Sequence, residues 1–295
     1  MADFRVDQAA GLRRLFGGAG LQVISFVAGC EGVGRSTTVA NLGVALARLG
    51  KEVLVIDEHP SGDGIAASLG LVAAHDLLNV VQREMDLAQV LVRPMKGLSI
   101  LPAARALRKF GRLTLQQQQL LVDAMSGLER SIDVILVDAS LNHPAGFSPF
   151  GLVAQETVVV LSGSSASITE AYALIKKVSH AFARRHFRIL VNKVRTHADA
   201  RSIYDNIALV ARQRNVATLD YAGAIPLDEA MRVAGQLSCP VLFHAPDSPS
   251  ATAIRDLATD LQYWQQGPGE HGGVDQFLQQ LLHLSQRLTP HVLRA

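Results

Sequence analysis

Gly29-Cys30-Glu31-Gly32-Val33-Gly34-Arg35-Ser36-Thr37 is the stretch that decides how the rest of the chain is read. The apolar run at residues 21–28 leads into it, and residues 36–49 leave it with helical periodicity. Val39, Leu42, Leu46 and Leu49 fall on one side of that helix, and Gly50 is placed to close it. A strand, a glycine-rich turn and a helix in that order form an anion cradle. Glycines let backbone N–H groups face a phosphate, and the helix N-terminus adds its positive dipole end. The spacing is that of G-x-x-x-x-G-K-[ST] counted from Gly29, with Arg35 where lysine belongs. The Ser36 hydroxyl stands where such loops hold Mg²⁺. A glycine turn with no ligand is the alternative, and the flanking strand and helix favour the phosphate site.

Outward from the loop, short apolar runs recur at residues 52–56, 98–101, 132–137, 157–161, 187–191 and 221–225, with helical patterns between most of them. Fully apolar strands alternating with helices predict an α/β fold, a doubly wound and mostly parallel sheet covered on both faces. Ligands then bind where strand C-termini meet helix N-termini. Residues 265–273, rich in Gly, Pro and Gln, read as a linker. Residues 274–295 read as a separate amphipathic helix, with Val274, Phe277, Leu278, Leu281, Leu282 and Leu288 on one stripe. Residues 1–20 read as a short helix broken by Gly17, Gly18 and Gly20, leaving 21–264 as the domain that carries the phosphate loop.

Composition narrows the class further. The chain has 295 residues, 48% hydrophobic and 18% charged, which excludes a disordered chain or a disulfide scaffold. No apolar run approaches the ~18 residues that span a bilayer. Asp3 and Asp7 interrupt the N-terminus where a secretory signal would be apolar. The only cysteines are Cys30 and Cys239, so the expected location is cytoplasmic. A net charge of +2 gives no sign of nucleic-acid binding, and that partner is not expected. Two acid-free intervals do collect Arg93, Lys96, Arg105, Arg108, Lys109 and Arg112, then Lys176, Lys177, Arg184, Arg185, Arg188, Lys193 and Arg195. Solvated helix faces are the favoured reading of them, ahead of an acidic partner, anionic lipid or DNA.

The loop and its surroundings resemble the MinD/ParA class of P-loop ATPases, whose loop reads K-G-G-x-G-K-[ST]-T. Residues 53–57 resemble the second strand of that class with its aspartate, Asp57. Residues 134–138 resemble its Walker B strand, with Asp138 near the metal. Within the class the likeness runs to the FlhG (FleN) branch, regulators of flagellar number and placement. Residues 7–13, DQAAGLR, match its D-Q-A-x-x-L-R motif. Residues 167–176, SITEAYALIK, match its S-I-T-[DE]-A-Y-A-L-I-K helix. Residues 191–194 and 225–230 resemble its base-binding end.

The resemblance implies ATP or ADP with Mg²⁺ as ligands. Gly29, Gly32, Val33, Gly34, Arg35, Ser36, Thr37, Asn192, Lys193 and Pro226 would hold the nucleotide. Ser36, Asp57 and Asp138 would hold the metal. It implies a FlhF-like signal-recognition-type GTPase as partner, met through Asp7, Gln8, Ala9, Leu12 and Arg13. A homodimer and a peripheral membrane contact through 274–295 are further implications. The departures fall on the chemistry. Cys30 stands for the signature lysine, Arg35 for the loop lysine and His59 for the water-positioning aspartate, while D-T-x-A-G reads Asp138-Ala139-Ser140-Leu141-Asn142. The catalytic set Arg35, Asp57, His59 and Asp138 is therefore eroded. Arginine is planar and bulkier than lysine, and cysteine carries no fixed positive charge. The expectation is an interaction switch with weak or lost hydrolysis. An active ATPase cycling between dimer and monomer, or a ParA-like DNA-binding protein, remains as the alternative.

Overall fold

A computed structural model describes residues 21–59, 64–109, 112–126, 132–140 and 147–264, with 277, 279–281 and 283 near the C-terminus. Eight strands form one sheet: β1 (Gln22–Val27), β2 (Val53–Asp57), β3 (Val92–Met95), β4 (Leu98–Pro102), β5 (Val134–Asp138), β6 (Glu156–Ser162), β7 (His186–Val194) and β8 (Thr218–Pro226). Their order is β3-β4-β2-β5-β1-β6-β7-β8. Every pairing is parallel except β3 with β4. Each residue of β1, β2 and β5 is buried, as a parallel sheet with helices on both faces requires.

The seven apolar runs all become strands. The unforeseen one is β3, which is short, carries Pro94 and lies at the sheet edge, where a missing N–H is tolerated. It turns into β4 through Gly97, at φ 82°. Gly50 follows the first long helix, Arg35–Arg48, at φ 81°, the left-handed closure expected of it.

Strand order reverses at β1, which lies between β5 and β6, so the crevice at its C-terminal end is the topological binding point. Two apolar cores flank the sheet. One gathers Leu54, Ile135, Phe150, Ile175 and Ile189, and the other Ile24, Leu42, Val55, Leu136 and Ile254.

The expected C-terminal helix is helical at each described position. Phe277 is 4% exposed and Leu281 fully buried, both within the first core. The Phe277 ring stacks on Phe150 at 6.2 Å. These two positions of the apolar stripe thus face the protein's own interior. Val274, Leu278, Leu282 and Leu288 lie outside the described residues, as does the whole 1–20 segment with its motif residues. Among the described residues, no helix is long and apolar enough to cross a membrane.

Candidate functional site: a glycine-rich anion cradle

The loop between β1 and the helix Arg35–Arg48 turns through Gly32 (φ 75°) and Gly34 (φ 87°), conformations that disfavour any side chain. Gly34 is doubly constrained, because a methyl group there would sit 2.4 Å from Asn192 Nδ2. Gly29 is fixed by packing alone. A methyl group on it would meet the Glu170 carbonyl carbon at 2.4 Å and the Ala171 nitrogen at 2.6 Å. Those are backbone atoms of the helix Ser165–Phe182, which carries the SITEAYALIK stretch and so serves as the wall the loop leans on. Gly29→Ala is expected to destabilise the fold by about 1–3 kcal/mol, since a helix backbone cannot swing aside as a side chain can. Urea denaturation measures this.

Beside the loop lies a cavity of about 1180 Å³. Gly29, Gly32, Val33, Gly34, Arg35, Ser36, Thr37, Asn192, Lys193 and Pro226 all line it, joined by Cys30, His59 and Ser140. The residues assigned to a nucleotide are therefore brought to one place from the loop after β1 and from β7 and β8, with His59 and Ser140 arriving from the ends of β2 and β5. Cys30 occupies the signature-lysine position as a half-buried side chain packed on the second core.

Two of these residues also hold the loop. The Asn192 amide donates to the Val33 carbonyl at 2.8 Å and accepts from the Lys193 N–H at 2.8 Å, tying the loop to β7. Lys193, at φ 57°, reaches across to the Gly32 carbonyl at 2.6 Å and so delivers an ammonium to the loop. Its neighbour's resemblance to a base-binding motif gave no hint of that reach, because only the fold sets β7 against the loop.

Arg35 departs from expectation. Its Nε donates to Asp138 Oδ1 at 2.5 Å and its Nη1 to the Ala139 carbonyl at 2.7 Å. It thus grips the end of β5 rather than standing over the loop as a lysine would. Ser36 Oγ donates to the other Asp138 oxygen at 2.6 Å. Asp57 lies level with Asp138 on the adjacent strand. Its oxygens accept from the N–H groups of His59 (2.9 Å) and Ile65 (2.7 Å). Burial, then the nearby Asp138 charge, raises the Asp57 carboxyl from 3.8 to about 6.

This donor set does not fit Mg²⁺. Asp138 is fully buried and Asp57 7% exposed, and neither lines the cavity. All four of their oxygens already accept hydrogen bonds from the protein. The expected metal set of Ser36, Asp57 and Asp138 is assembled, but its four carboxylate oxygens are engaged by the protein, one of them by the Ser36 hydroxyl itself.

One carboxyl escaped sequence reasoning. Glu58, between Asp57 and His59, is 2% exposed. It accepts the Ser140 N–H at 2.7 Å and makes a short contact with the Ser148 hydroxyl, which caps the helix Pro149–Val153. Burial raises it from 4.5 to about 8, against the pull of those hydrogen bonds. A carboxyl raised on folding binds its proton more tightly in the native state. Its contribution therefore makes stability fall as pH rises from 4.5 through about 8. Glu58→Gln is expected to flatten that slope, removing a loss on the order of a few kcal/mol across the window. Urea melts at several pH values measure it, and an unchanged slope would contradict it.

In the second basic interval three arginines are engaged within the protein. Arg184 caps the carbonyls of Leu152 and Ala154, Arg185 those of Asn215 and Val216, and Arg188 pairs with Glu156. Local backbone satisfaction accounts for those arginines.

The comparisons with known proteins agree with this fold. The antiactivator FleN of Pseudomonas aeruginosa is 29% identical over 262 residues, covering 89% of this chain and 94% of that protein. The septum site-determining protein MinD of Synechocystis is 26% identical, covering 82% of this chain and 89% of its own. Among solved structures, the MinD cell division protein of Aquifex aeolicus has a TM-score of 0.64 at 24% identity, covering 83% of this chain and 98% of its own. MinD of Pyrococcus horikoshii, complexed with Mg-ADP, has a TM-score of 0.61 at 20% identity, covering 85% and 99%. Those structural likenesses show the fold. The model of the CobQ/CobB/MinD/ParA nucleotide binding domain matches residues 24–238, and the chain belongs to that family.

Proposed function

We propose that the protein is a FlhG/FleN-type regulator of flagellar number or placement, working in the cytoplasm as an adenine-nucleotide-dependent interaction switch with little or no hydrolysis. Residues 21–264 serve as the nucleotide-binding domain, preceded by a partner-binding segment at 1–20 and followed, past the linker 265–273, by the amphipathic helix 274–295. The observation that carries the reading is an intact cradle whose Arg35 grips Asp138. Loop glycines and a helix N-terminus support binding of ATP or ADP. The replaced positions Cys30, Arg35 and His59 belong to charge stabilisation and water positioning, which act on the transition state. The 29% identity to FleN over most of both chains supports the flagellar assignment.

Mass analysis of nucleotide co-purifying with the protein, with phosphate release, tests the switch. Bound adenine nucleotide with no turnover above background is expected. Turnover like that of an intact family member would favour the cycling ATPase instead. Light scattering with and without nucleotide tests whether a second copy is recruited.

The partner is a signal-recognition-type GTPase of the FlhF kind, met through Asp7, Gln8, Ala9, Leu12 and Arg13. Leu12 anchors while Gln8 and Arg13, at helical spacing, bond the partner. A peptide of residues 1–20 is expected to bind and stimulate that GTPase. A peptide that does neither removes this partner.

A further inference from the structure

We infer that this site takes its nucleoside di- or triphosphate without a divalent cation, with the Arg35 guanidinium standing permanently on the carboxylate that would otherwise face the metal. The inference rests on the nucleotide-switch reading and names how that site meets the phosphate charge.

Mg²⁺ demands a near-octahedral set of oxygens and gives up water reluctantly, so nucleotide sites hold it with one or two available carboxylates plus the phosphates. Asp138 is not available. Oδ1 holds Arg35 Nε, Oδ2 holds Ser36 Oγ, and the guanidinium is tied a second time to the Ala139 carbonyl. Admitting an ion there would break a charge-assisted hydrogen bond inside the protein and set a dication against a fixed guanidinium, with Asp138 fully buried between β1 and β2. Asp57 offers no substitute, because two backbone N–H groups cap its oxygens. Gly64 permits one of those caps, and a methyl group there would collide with Asp57 Oδ2 at 2.1 Å. Glu58 is likewise engaged by Ser140 and Ser148.

Positive charge reaches the cavity by other means. Lys193 Nζ lies on the Gly32 carbonyl at the cavity wall, and the loop and the first turn of its helix, whose N-terminus carries the positive dipole end, line the same cavity. A lysine at residue 35 is a flexible point charge, whereas arginine's planar fork matches a carboxylate. The replacement thus turns a phosphate ligand into an internal counterion.

Isothermal titration of the full chain with ADP and with ATP, once in excess EDTA and once in excess magnesium chloride, decides the matter. Dissociation constants agreeing within about twofold between the two conditions are expected. Binding about tenfold or more tighter with magnesium overturns the inference and leaves the nucleotide reading standing. No binding in either condition overturns that reading itself, and the inference with it. Arg35→Lys is expected to release Asp138 and make binding magnesium-dependent by about tenfold. An Arg35→Lys protein that binds nucleotide yet stays indifferent to magnesium removes the role given to Arg35. The wild-type titrations stand alone if that variant fails to fold.

Discussion

Restoring Cys30→Lys, Arg35→Lys and His59→Asp together is expected to raise nucleotide hydrolysis by about a hundredfold or more over the wild type, which should turn over near background. One charge acting on the transition state is worth on the order of 3 kcal/mol, about a hundredfold in rate. The three positions act as a unit, so their effects do not sum. Cys30, Arg35 and His59 all line the cavity, which places the restored groups around one ligand. Arg35→Lys contributes twice, by supplying a lysine beside the loop and by releasing Asp138 from its 2.5 Å contact. Phosphate release measures the rate. Wild-type turnover comparable to an intact family member would sink the proposal, as would a triple variant that binds ATP tightly and gains nothing.

Leu281→Ala is expected to cost about 2–5 kcal/mol, and Phe277→Ala about 3–5 kcal/mol, in urea denaturation. Substitutions on a membrane-seeking or freely tethered helix would cost almost nothing, because their side chains would be in water in the folded protein. Leu281 is fully buried, and Phe277 stacks on Phe150 in the core that holds the sheet's central strands. The helix bearing Phe150 is capped by Ser148, whose hydroxyl also meets Glu58 beside Asp57. Loosening the tail therefore loosens a helix that touches the site. Liposome co-sedimentation separates the two uses of this segment. Binding that deletion of residues 274–295 leaves unchanged would exclude the segment as an anchor.

The fold was written plainly in the chain. Seven apolar runs at α/β spacing became seven strands, because a buried parallel strand needs apolar residues on both faces and a turn at each end. The glycines of residues 29–34 announced their loop for a similarly local reason. Two of them take φ values that side chains resist, and the third lies against a helix backbone. Strand β3 escaped because an edge strand needs neither periodicity nor a full set of N–H donors.

Motif and spacing also brought the cavity residues together, since each stands at the end of a strand and strand ends share one rim. What each side chain does there is decided by distance across the sheet. Arg35 and Asp138 are far apart in sequence and 2.5 Å apart in space, so the arginine answers a carboxylate and not the loop. Asn192 and Lys193 read as base-binding residues, and the fold gives them a further task, holding the Val33 and Gly32 carbonyls of the loop. The tail's apolar stripe was equally legible, but amphipathicity states only that a face must be covered. Which surface covers Phe277 and Leu281 depends on the gap beside Phe150, and that gap exists only once the sheet and its helices have packed.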